Sequence, residues 1–283
     1  MDKRVEIMNS LMTKTSMQDL DLVCQICSKC GTPQEYILEV LGRKRKVKIP
    51  CVCQSEMYVK KQEEEKNKEK LRMLERLKRY SLMDEAFKKC TFENWQLDEG
   101  NKVWYKLGKN YCENWQNMKQ QNVGMLFYGP PGTGKSYLSF CIANELLRQY
   151  VPVIATSSIN VINKIYESYR SYGEEGEVAI LNQFKQASLV ILDDLGAEHE
   201  GKTGKEKQII YSLLDTRMRL QLPTIITTNL TPQQLKNKLT GADGVHRTYD
   251  RIIEACPAIE ITGESRRIDK AREKLSIVRN LVR

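Results

Sequence analysis

The 283-residue sequence has only two histidines, His199 and His246, and contains no apolar run of the roughly 18 residues that a membrane-spanning helix needs. Its first residues, Met-Asp-Lys-Arg-Val-Glu, lack the apolar stretch of a secretory signal. No internal repeat is visible, and the low-complexity sequence is confined to a charged run over residues 60–70. We therefore expect a cytoplasmic protein whose nine cysteines stay reduced.

Basic residues outnumber acidic ones, with 45 Lys and Arg against 36 Asp and Glu, so the formal net charge is +9. This excess favours an acidic partner, and nucleic acid is the usual one, although a solvated basic surface has the same composition. The length suits one domain of about 180–200 residues together with a smaller module. A core of that size folds without disulfides.

One motif constrains function more tightly than any other part of the chain. It is a complete G-x-x-x-x-G-K-[ST] sequence that lies between an apolar run and a helix-forming run. That setting predicts a phosphate-binding loop, in which glycines let backbone N–H groups surround a nucleoside triphosphate. The Lys135 ammonium is expected to reach the β- and γ-phosphates, and the Ser136 hydroxyl to bind Mg²⁺. The loop comprises Gly129, Pro130, Pro131, Gly132, Thr133, Gly134, Lys135 and Ser136.

Two later apolar runs each end in polar side chains. One leads into Asp193 and Asp194, and the other leads into Asn229. In a parallel sheet the carboxyl ends of neighbouring strands open onto one crevice, so these residues should meet the phosphate-binding loop. Asp193 is predicted to lie beside the Mg²⁺ held by Ser136. Asp194 is predicted to orient or deprotonate the attacking water, and Asn229 to bind that water or the γ-phosphate.

Strands and helices alternate from Phe92 onward, which predicts an α/β fold with a parallel sheet flanked by helices. We place this domain at residues 91–283, a charged helical linker at 56–90 and a small module at 1–55. The predicted strands are 124–128, 153–155, 189–192, 224–228 and 258–261. The predicted helices are 135–150, 158–171, 206–220, 232–238, 245–254 and 266–281.

Five of the nine cysteines crowd the first 53 residues, whereas the others are scattered like ordinary core residues. Cys27-x-x-Cys30 and Cys51-x-Cys53 supply two close pairs of thiolates, which is the donor set of a structural tetrahedral Zn²⁺ site. A module this short has too little core to fold without such a staple. Unligated reduced thiols are the alternative interpretation.

Cys24 is a fifth candidate ligand, so the first pair is open to two choices. We favour Cys27 with Cys30 because Gly31 follows Cys30, and a glycine there tolerates the left-handed turn of a metal knuckle. Ile26, which lies inside the other pair, is expected to face a core instead.

Between the cysteine pairs the pattern predicts a β-hairpin with Gly42 at its turn. The basic run 43–46 is equally suited to contacting phosphate and to lying in a solvated turn. Residues 58–80 are rich in Lys, Glu and Arg, which predicts a charged helix, with a solvated linker as an equal alternative. Three leucines at helical spacing give that helix one apolar face: Leu71, Leu74 and Leu77.

Arginines follow the last polar motif. Arg247 and Arg251 are four residues apart on one predicted helix, and Arg267 lies where the last helix begins. An arginine near a transferring phosphate stabilises the developing negative charge, and a neighbouring subunit can supply it. Spacing alone does not say which of the three acts in this way.

The order of these motifs resembles that of bacterial and phage replicative-helicase loaders of the DnaC/DnaI type, which are AAA+ ATPases. The resemblance covers residues 24–270 and includes the cysteine module. The motifs that carry it in the ATPase domain are Phe92-Glu-Asn-Trp, the loop 129–136, Asp193-Asp-Leu-Gly-Ala-Glu, Thr227-Thr-Asn-Leu, Arg247-x-x-x-Arg251 and Gly263-x-Ser-x-Arg267.

By position, the resemblance implies roles for individual residues. Lys135 and Ser136 match Walker A, and Asp193 and Asp194 match Walker B. Asn229, Arg251 and Arg267 match sensor 1, the arginine finger and sensor 2. Walker B ends Asp-Asp here rather than Asp-Glu, which favours slow, switch-like ATP hydrolysis.

The resemblance also implies partners. These are a hexameric replicative helicase docked on the N-terminal module, single-stranded DNA, and further copies of the chain associated through the ATPase domain. An aromatic and basic cluster has the composition of a base-stacking surface, although such helical spacing more often serves packing. The cluster is Tyr166, Tyr169, Arg170 and Tyr172.

Two other functions use the same nucleotide motifs. A transposition helper ATPase of the insertion-sequence type shares the ATPase domain, but such helpers typically lack the cysteine module. A small-molecule kinase needs a mobile lid, for which residues 196–207 are suited. A kinase has no use for the sensor-like Asn229 or for the cysteines.

Overall fold

The computed structural model describes residues 25–40, 43–78, 81, 85–170, 176–198, 204–241 and 243–281. The chain divides into two compact units, one that ends at Lys68 and one that spans Glu69–Arg283. The boundaries that we place at residues 55 and 90 stay predictions. Several sequence-based expectations lie outside the described residues, namely those for Cys24, Gly42, Tyr172, His199 and the N-terminal 24 residues.

The first unit contains the predicted hairpin. Strand β1 (Glu35–Val40) pairs antiparallel with β2 (Arg43–Lys48), and Tyr36 lies opposite Val47. The alternation of apolar and basic residues along β2 fits a strand in which Arg45 to Lys48 are all exposed. The sequence-based prediction of a hairpin between the cysteine pairs is therefore confirmed.

A 27-residue helix, α1 (Val52–Lys78), follows the hairpin and runs from the first unit into the second. Most of its residues are exposed, as the Lys, Glu and Arg content predicts. Leu74 is buried, whereas Leu71 is 45% exposed. The charged helix is confirmed, and the described part of its predicted apolar face is narrow.

The second unit is built on a five-stranded sheet in which every neighbouring pair is parallel. The strands are β3 (Met125–Tyr128), β4 (Val153–Ser157), β5 (Leu189–Asp193), β6 (Thr224–Thr228) and β7 (Ala258–Glu260). Their order across the sheet is β4-β5-β6-β3-β7. Successive side chains of a strand point to opposite faces, so β3, β4, β5 and β6 each contribute to the cores on both sides of the sheet.

Helices cover both faces, so the predicted α/β fold is confirmed. Each predicted helix from residue 135 onward begins and ends within about two residues of its prediction, which is the usual precision of helix ends. No helix of the described residues is long and apolar enough to cross a membrane. The helices after α1 are α2 (Glu85–Lys88), α3 (Lys102–Glu113), α4 (Trp115–Gln120), α5 (Lys135–Arg148), α6 (Ser158–Arg170), α7 (Glu177–Gln186), α8 (Lys205–Arg219), α9 (Pro232–Leu239), α10 (Arg247–Ala255) and α11 (Arg266–Asn280).

Four of these helices, α2, α3, α4 and α7, are absent from the sequence-based prediction. In α3 the helical pattern is weakened by Gly108, which lies against α5. A Cβ atom at Gly108 would lie 2.8 Å from side-chain atoms of Leu138 and Phe92. The glycine therefore allows α3 to pack closely against α5, and it also weakens the helical pattern in the sequence.

Arg217 is the largest fully buried side chain, and it ties α8 to the ends of two strands. Its guanidinium donates to the Thr224 hydroxyl at 3.0 Å and to four backbone carbonyls. Burial lowers the pKa of Arg217 to about 9, so the group stays charged at neutral pH. The four carbonyls belong to Phe184, Ala187, Ser188 and Pro223.

We expect Arg217→Met to lower the free energy of unfolding by about 3–5 kcal/mol, because buried carbonyls lose their donors. Arg219→Met is the matched control, since Arg219 is 70% exposed and pairs with Asp215 at the surface. That change should cost less than about 1 kcal/mol. Urea denaturation of the two variants measures the difference, and equal midpoints would contradict the role of Arg217.

Candidate nucleotide-binding site and cysteine cluster

A cavity of about 740 Å³ opens where β3, β5 and β6 end. Every motif that we expected at these strand ends contributes to its wall. The second half of the phosphate-binding loop, the two aspartates and Asn229 all line it. We call it the central cavity, and its lining includes Gly132, Thr133, Gly134, Lys135, Ser136, Asp193, Asp194, Thr227, Asn229 and Arg267.

The glycines of the loop are required by its backbone and by its neighbours. Gly132 has a φ of +86°, and a Cβ atom there would lie 2.1 Å from the Ser265 hydroxyl oxygen. Gly129 has a φ of +137°, and a Cβ atom there would lie 2.4 Å from the Ile261 carbonyl oxygen. Both positions therefore exclude a side chain, and the loop is in contact with the C-terminal segment.

Lys135 folds back over the loop that precedes it. Its ammonium donates to the carbonyls of Gly129 at 2.8 Å and Pro130 at 2.7 Å, and the side chain is almost completely buried. Burial lowers the pKa of Lys135, while the negative charges of Asp194 and Asp193 oppose that shift. A cation is thus held among backbone groups at the edge of the central cavity.

Asp193 and Asp194 end β5 and are held by the neighbouring strand β6. The Thr227 hydroxyl donates to Asp193 Oδ1 at 2.6 Å and accepts from the Asp194 N–H at 2.9 Å. Asn229 Nδ2 donates to Asp194 Oδ1 at 2.7 Å. Burial raises the pKa of Asp194, and the negative charge of Asp193 raises it further.

The C-terminal segment closes one side of the central cavity. Arg267 is part of the lining, as the sequence predicts for a residue near the phosphates. Its neighbour Arg266 donates its backbone N–H to the Gly132 carbonyl at 3.1 Å. The Arg266 guanidinium also pairs with Asp98 at 2.5 Å. The loop is therefore joined to residues that follow it by more than 130 positions.

Residues 94–104 form a further wall that sequence reasoning did not assign. Asn101 is buried and organises this segment, because its side chain bonds to Trp95 Nε1, to the Gln96 carbonyl and to Asp98. Two of the three tryptophans in the sequence, Trp95 and Trp104, line the cavity. Trp95 precedes the acidic residues 98–99 and Trp104 lies in α3, and nothing in this spacing indicates a pocket.

Arg251 lies elsewhere, on α10, where it forms an ion pair with Asp215 of α8. Its side chain is 34% exposed. Arg247, one turn earlier, pairs with Asp243 at 2.6 Å. The structure thus brings Lys135, Asp193, Asp194, Asn229 and Arg267 to one cavity and leaves Arg251 outside it. The predicted role of Arg251 toward another subunit stays a prediction.

Two members of the aromatic cluster, Tyr166 and Tyr169 on α6, contact acidic side chains. The Tyr166 hydroxyl donates to Glu206 at 2.5 Å, and the Tyr169 hydroxyl donates to Glu177. The two rings lie 6.2 Å apart, and Tyr169 is 54% exposed. Carboxylates beside both phenols are unfavourable for phosphate contacts, and base stacking here stays a prediction.

In the first unit, four thiols form a compact cluster. The sulfurs of Cys27, Cys30, Cys51 and Cys53 all lie within 4.8 Å of one another. Zn–S bonds of about 2.3 Å in a tetrahedron place sulfurs about 3.8 Å apart, so the donor set and its size fit Zn²⁺. These are the four cysteines that the sequence analysis chose.

The local backbone explains part of that choice. Gly31 has a φ of +67°, the left-handed conformation expected after the second cysteine. Its N–H donates to the Cys27 carbonyl at 2.9 Å, which closes the turn that carries Cys30. The expectation for Ile26 is wrong, because its side chain is 65% exposed. Ile26 forms a β-bridge with Pro33, and that pairing turns it to the surface of a unit too small to cover it.

Known proteins resemble this chain in both sequence and structure. The replicative helicase loader DnaC of Escherichia coli (strain K12) is 29% identical over 164 residues, which are 58% of this chain and 62% of DnaC. The chain therefore spans somewhat less than two thirds of the length of that curated relative. These comparisons confirm the resemblance to helicase loaders that the motifs predict.

Solved structures extend the likeness. The crystal structure of DnaI is 26% identical, with a TM-score of 0.53, and the match covers 65% of this chain and 94% of the chain in that structure. The crystal structure of the DnaC helicase loader has a TM-score of 0.53 at 16% identity. That match covers 63% of this chain and 100% of the chain in that structure, and it supports the fold alone.

Residues 46–274, which are most of the sequence, match the family of IstB-like ATP binding proteins. This match and the DnaI structure confirm the predicted AAA+ fold with an ATP-binding domain. The chain, whose glycine-rich loop follows a strand of a parallel sheet, belongs to the family of IstB-like ATP binding proteins.

Proposed function

We propose that this protein is an ATP-controlled loader that places a hexameric replicative helicase on single-stranded DNA. The observation that carries the proposal is the meeting of Lys135, Asp193, Asp194, Asn229 and Arg267 at one cavity, in a chain related to DnaC and DnaI. In this proposal nucleotide binding assembles the loader, and hydrolysis releases the helicase.

The first step is triphosphate binding. Backbone N–H groups of the glycine-rich loop surround the phosphates, and the Lys135 ammonium contributes a positive charge beside them. The Ser136 hydroxyl and the Asp193 carboxylate line the cavity together, and such oxygen donors are the ligands that Mg²⁺ prefers. When bound there, Mg²⁺ neutralises charge on the β- and γ-phosphates.

The second step is hydrolysis. Asp194 orients the attacking water and accepts its proton, while Asn229 holds the Asp194 carboxylate through the 2.7 Å hydrogen bond. In this proposal Arg267, which lines the cavity, stabilises charge on the γ-phosphate. Aspartate has a shorter side chain than the glutamate usual at the position of Asp194, and we infer slow hydrolysis that acts as a switch.

The third step couples protomers. We infer that Arg251 acts on the γ-phosphate bound by a neighbouring copy, since within its own chain it is paired with Asp215 on another helix. Assembly then exchanges this half-buried ion pair for contacts with a nucleotide. The γ-phosphate is present before hydrolysis and absent afterwards, which gives the two states different interaction energies.

The cysteine cluster and the hairpin are proposed to bind the helicase. A small module in which four thiolates bind a metal is rigid without a large hydrophobic core, so it can present a fixed surface. The net charge of +9 supports a contact with single-stranded DNA, whose location on the protein this proposal leaves open. We also infer that the protein works in the cytoplasm, where its thiols stay reduced.

A transposition helper ATPase is the second candidate, and the match to IstB-like proteins favours it. Its nucleotide site is expected to be the same as that of a loader. The four clustered cysteines argue for the loader, because the helpers typically lack such a module. A partner that is a transposase, and not a helicase, would decide for the helper.

We expect Lys135→Ala to weaken ATP binding on the order of 100-fold, because a charged donor beside the phosphates is lost. The variant should also fail to form the ATP-dependent complex with the organism's replicative helicase that the wild type forms in gel filtration. Lys119→Ala is the control, since Lys119 lies outside the cavity and donates to Ser188. Unchanged ATP affinity in Lys135→Ala would remove the basis of the proposal. A wild-type protein that forms no complex with the helicase would refute the loading role and leave the nucleotide site unaffected.

For Arg251 we expect the alanine variant to retain ATP binding and to lose DNA-stimulated hydrolysis. Asp215→Asn is the matched control, because it breaks the same ion pair and leaves the arginine in place. Mixing Arg251→Ala with Lys135→Ala protomers should restore part of the hydrolysis, since each supplies what the other lacks. Stimulation that survives in Arg251→Ala would rule out this arginine.

Zinc analysis of freshly purified protein should give one ion per chain, and Cys51→Ser should abolish it, whereas Cys256→Ala should retain it. Chelation should unfold residues 21–55 and make them sensitive to protease. All three tryptophans, Trp95, Trp104 and Trp115, lie in the second unit, so their fluorescence should stay unchanged. Protein that is purified without zinc would contradict the proposed metal site.

A further inference from the structure

The hydroxyl of Thr227 lies between the two carboxylates at the end of β5. It donates to Asp193 Oδ1 at 2.6 Å and accepts from the Asp194 N–H at 2.9 Å. Thr227 is 1% exposed and lines the central cavity. A hydroxyl has one proton, and here that proton is directed to a carboxylate while a lone pair takes the next residue's N–H. One side chain of β6 therefore contacts both aspartates.

The backbone around Asp194 needs such support. Asp194 has a φ of +55°, a left-handed conformation that costs a non-glycine residue on the order of 1 kcal/mol. Backbone bonds also hold the turn. The Leu195 N–H donates to the Thr227 carbonyl at 2.8 Å, and the Ala197 N–H donates to the Asp194 carbonyl at 3.2 Å. The Ser158 hydroxyl oxygen lies 3.2 Å from the same carbonyl and donates its proton to Glu198 at 2.9 Å.

Of these bonds, the pair made by the Thr227 hydroxyl is the one that reaches both carboxylate-bearing residues. The others join backbone atoms or hold Asp194 alone. Without the Thr227 hydroxyl, the Asp193 carboxylate is free to rotate about its last torsion, and the Asp194 N–H loses its acceptor. The relative orientation of the two aspartates thus depends on a residue of the neighbouring strand.

We propose that Thr227 is a positioning residue that fixes Asp193 for the metal and Asp194 for the attacking water at the same time. The inference rests on the roles given to the two aspartates in the proposed function. Thr227 itself takes no part in bond making. It acts as outer partners of metal-binding carboxylates do, where loss of the hydrogen bond typically costs 10–100-fold in metal affinity or activity.

The neighbouring Thr228 supplies a control of the same chemistry. It is also 1% exposed, and it points to the other face of β6. Its hydroxyl donates to the Leu195 carbonyl at 2.6 Å and accepts from the Leu230 N–H at 3.2 Å. Thr228→Val therefore removes a buried hydroxyl from the same strand without touching either carboxylate.

The test compares Thr227→Val, Thr227→Ser and Thr228→Val with the wild type. A fluorescent ATP analogue is titrated once with excess Mg²⁺ and once with EDTA. The Mg²⁺ ratio, which is the dissociation constant in EDTA divided by that in Mg²⁺, reports how much the metal adds to the affinity. We expect Thr227→Val to lower that ratio at least about tenfold and to lower kcat by about 10–100-fold, with the affinity in EDTA unchanged. Thr227→Ser and Thr228→Val should stay within about threefold of the wild type.

Three results would overturn the inference. In the first, Thr227→Val keeps the wild-type Mg²⁺ ratio and kcat. In the second, Thr228→Val loses as much as Thr227→Val, which would mean that a general loosening of β6 is responsible. In the third, the wild-type affinity does not depend on Mg²⁺, which would also overturn the role of Asp193. Because the Mg²⁺ ratio needs no helicase, failure of the loading proposal leaves the test intact.

Discussion

The structure depends on three neighbouring parallel strands whose carboxyl ends lie side by side. The bodies of β3, β5 and β6 are buried on both faces, so polar side chains are tolerated only where the strands end. A different group follows or ends each strand: the glycine-rich loop at β3, two carboxylates at β5, and an amide at β6. Because neighbouring strands are held in register by their ladder, these groups meet at one cavity.

Much of this arrangement is readable in the sequence. Apolar runs of four to five residues that end in Asp193 or Asn229 indicate two buried parallel strands. The glycine-rich motif marks the end of a third strand, β3. The cysteine pairs are equally informative, since few residues other than metal ligands recur at such spacing. The grouping of residues that belong to short, local sequence patterns is therefore predicted well.

The remainder depends on contacts between distant segments, which no local pattern records. The wall at residues 94–104 is recognised as part of the site only when Asp98 meets Arg266 across the cavity. The role of Thr227 follows from its place beside β5. The burial of Arg217 follows from carbonyls that two separate segments supply, residues 184–188 and residue 223. The prediction for Ile26 is wrong for a related reason, because the described residues of the first unit bury little besides Cys27 and Cys51.

The joining of the glycine-rich loop to Ile261 and Arg266 has a consequence for the order of events during synthesis. On the ribosome the loop emerges long before the segment that bonds to the Tyr128 and Gly132 carbonyls. Until that segment is released, β3 lacks its outer neighbour and the loop lacks a backbone partner. The central cavity of the nascent chain is thus complete only after the other four strands of the sheet have been synthesised.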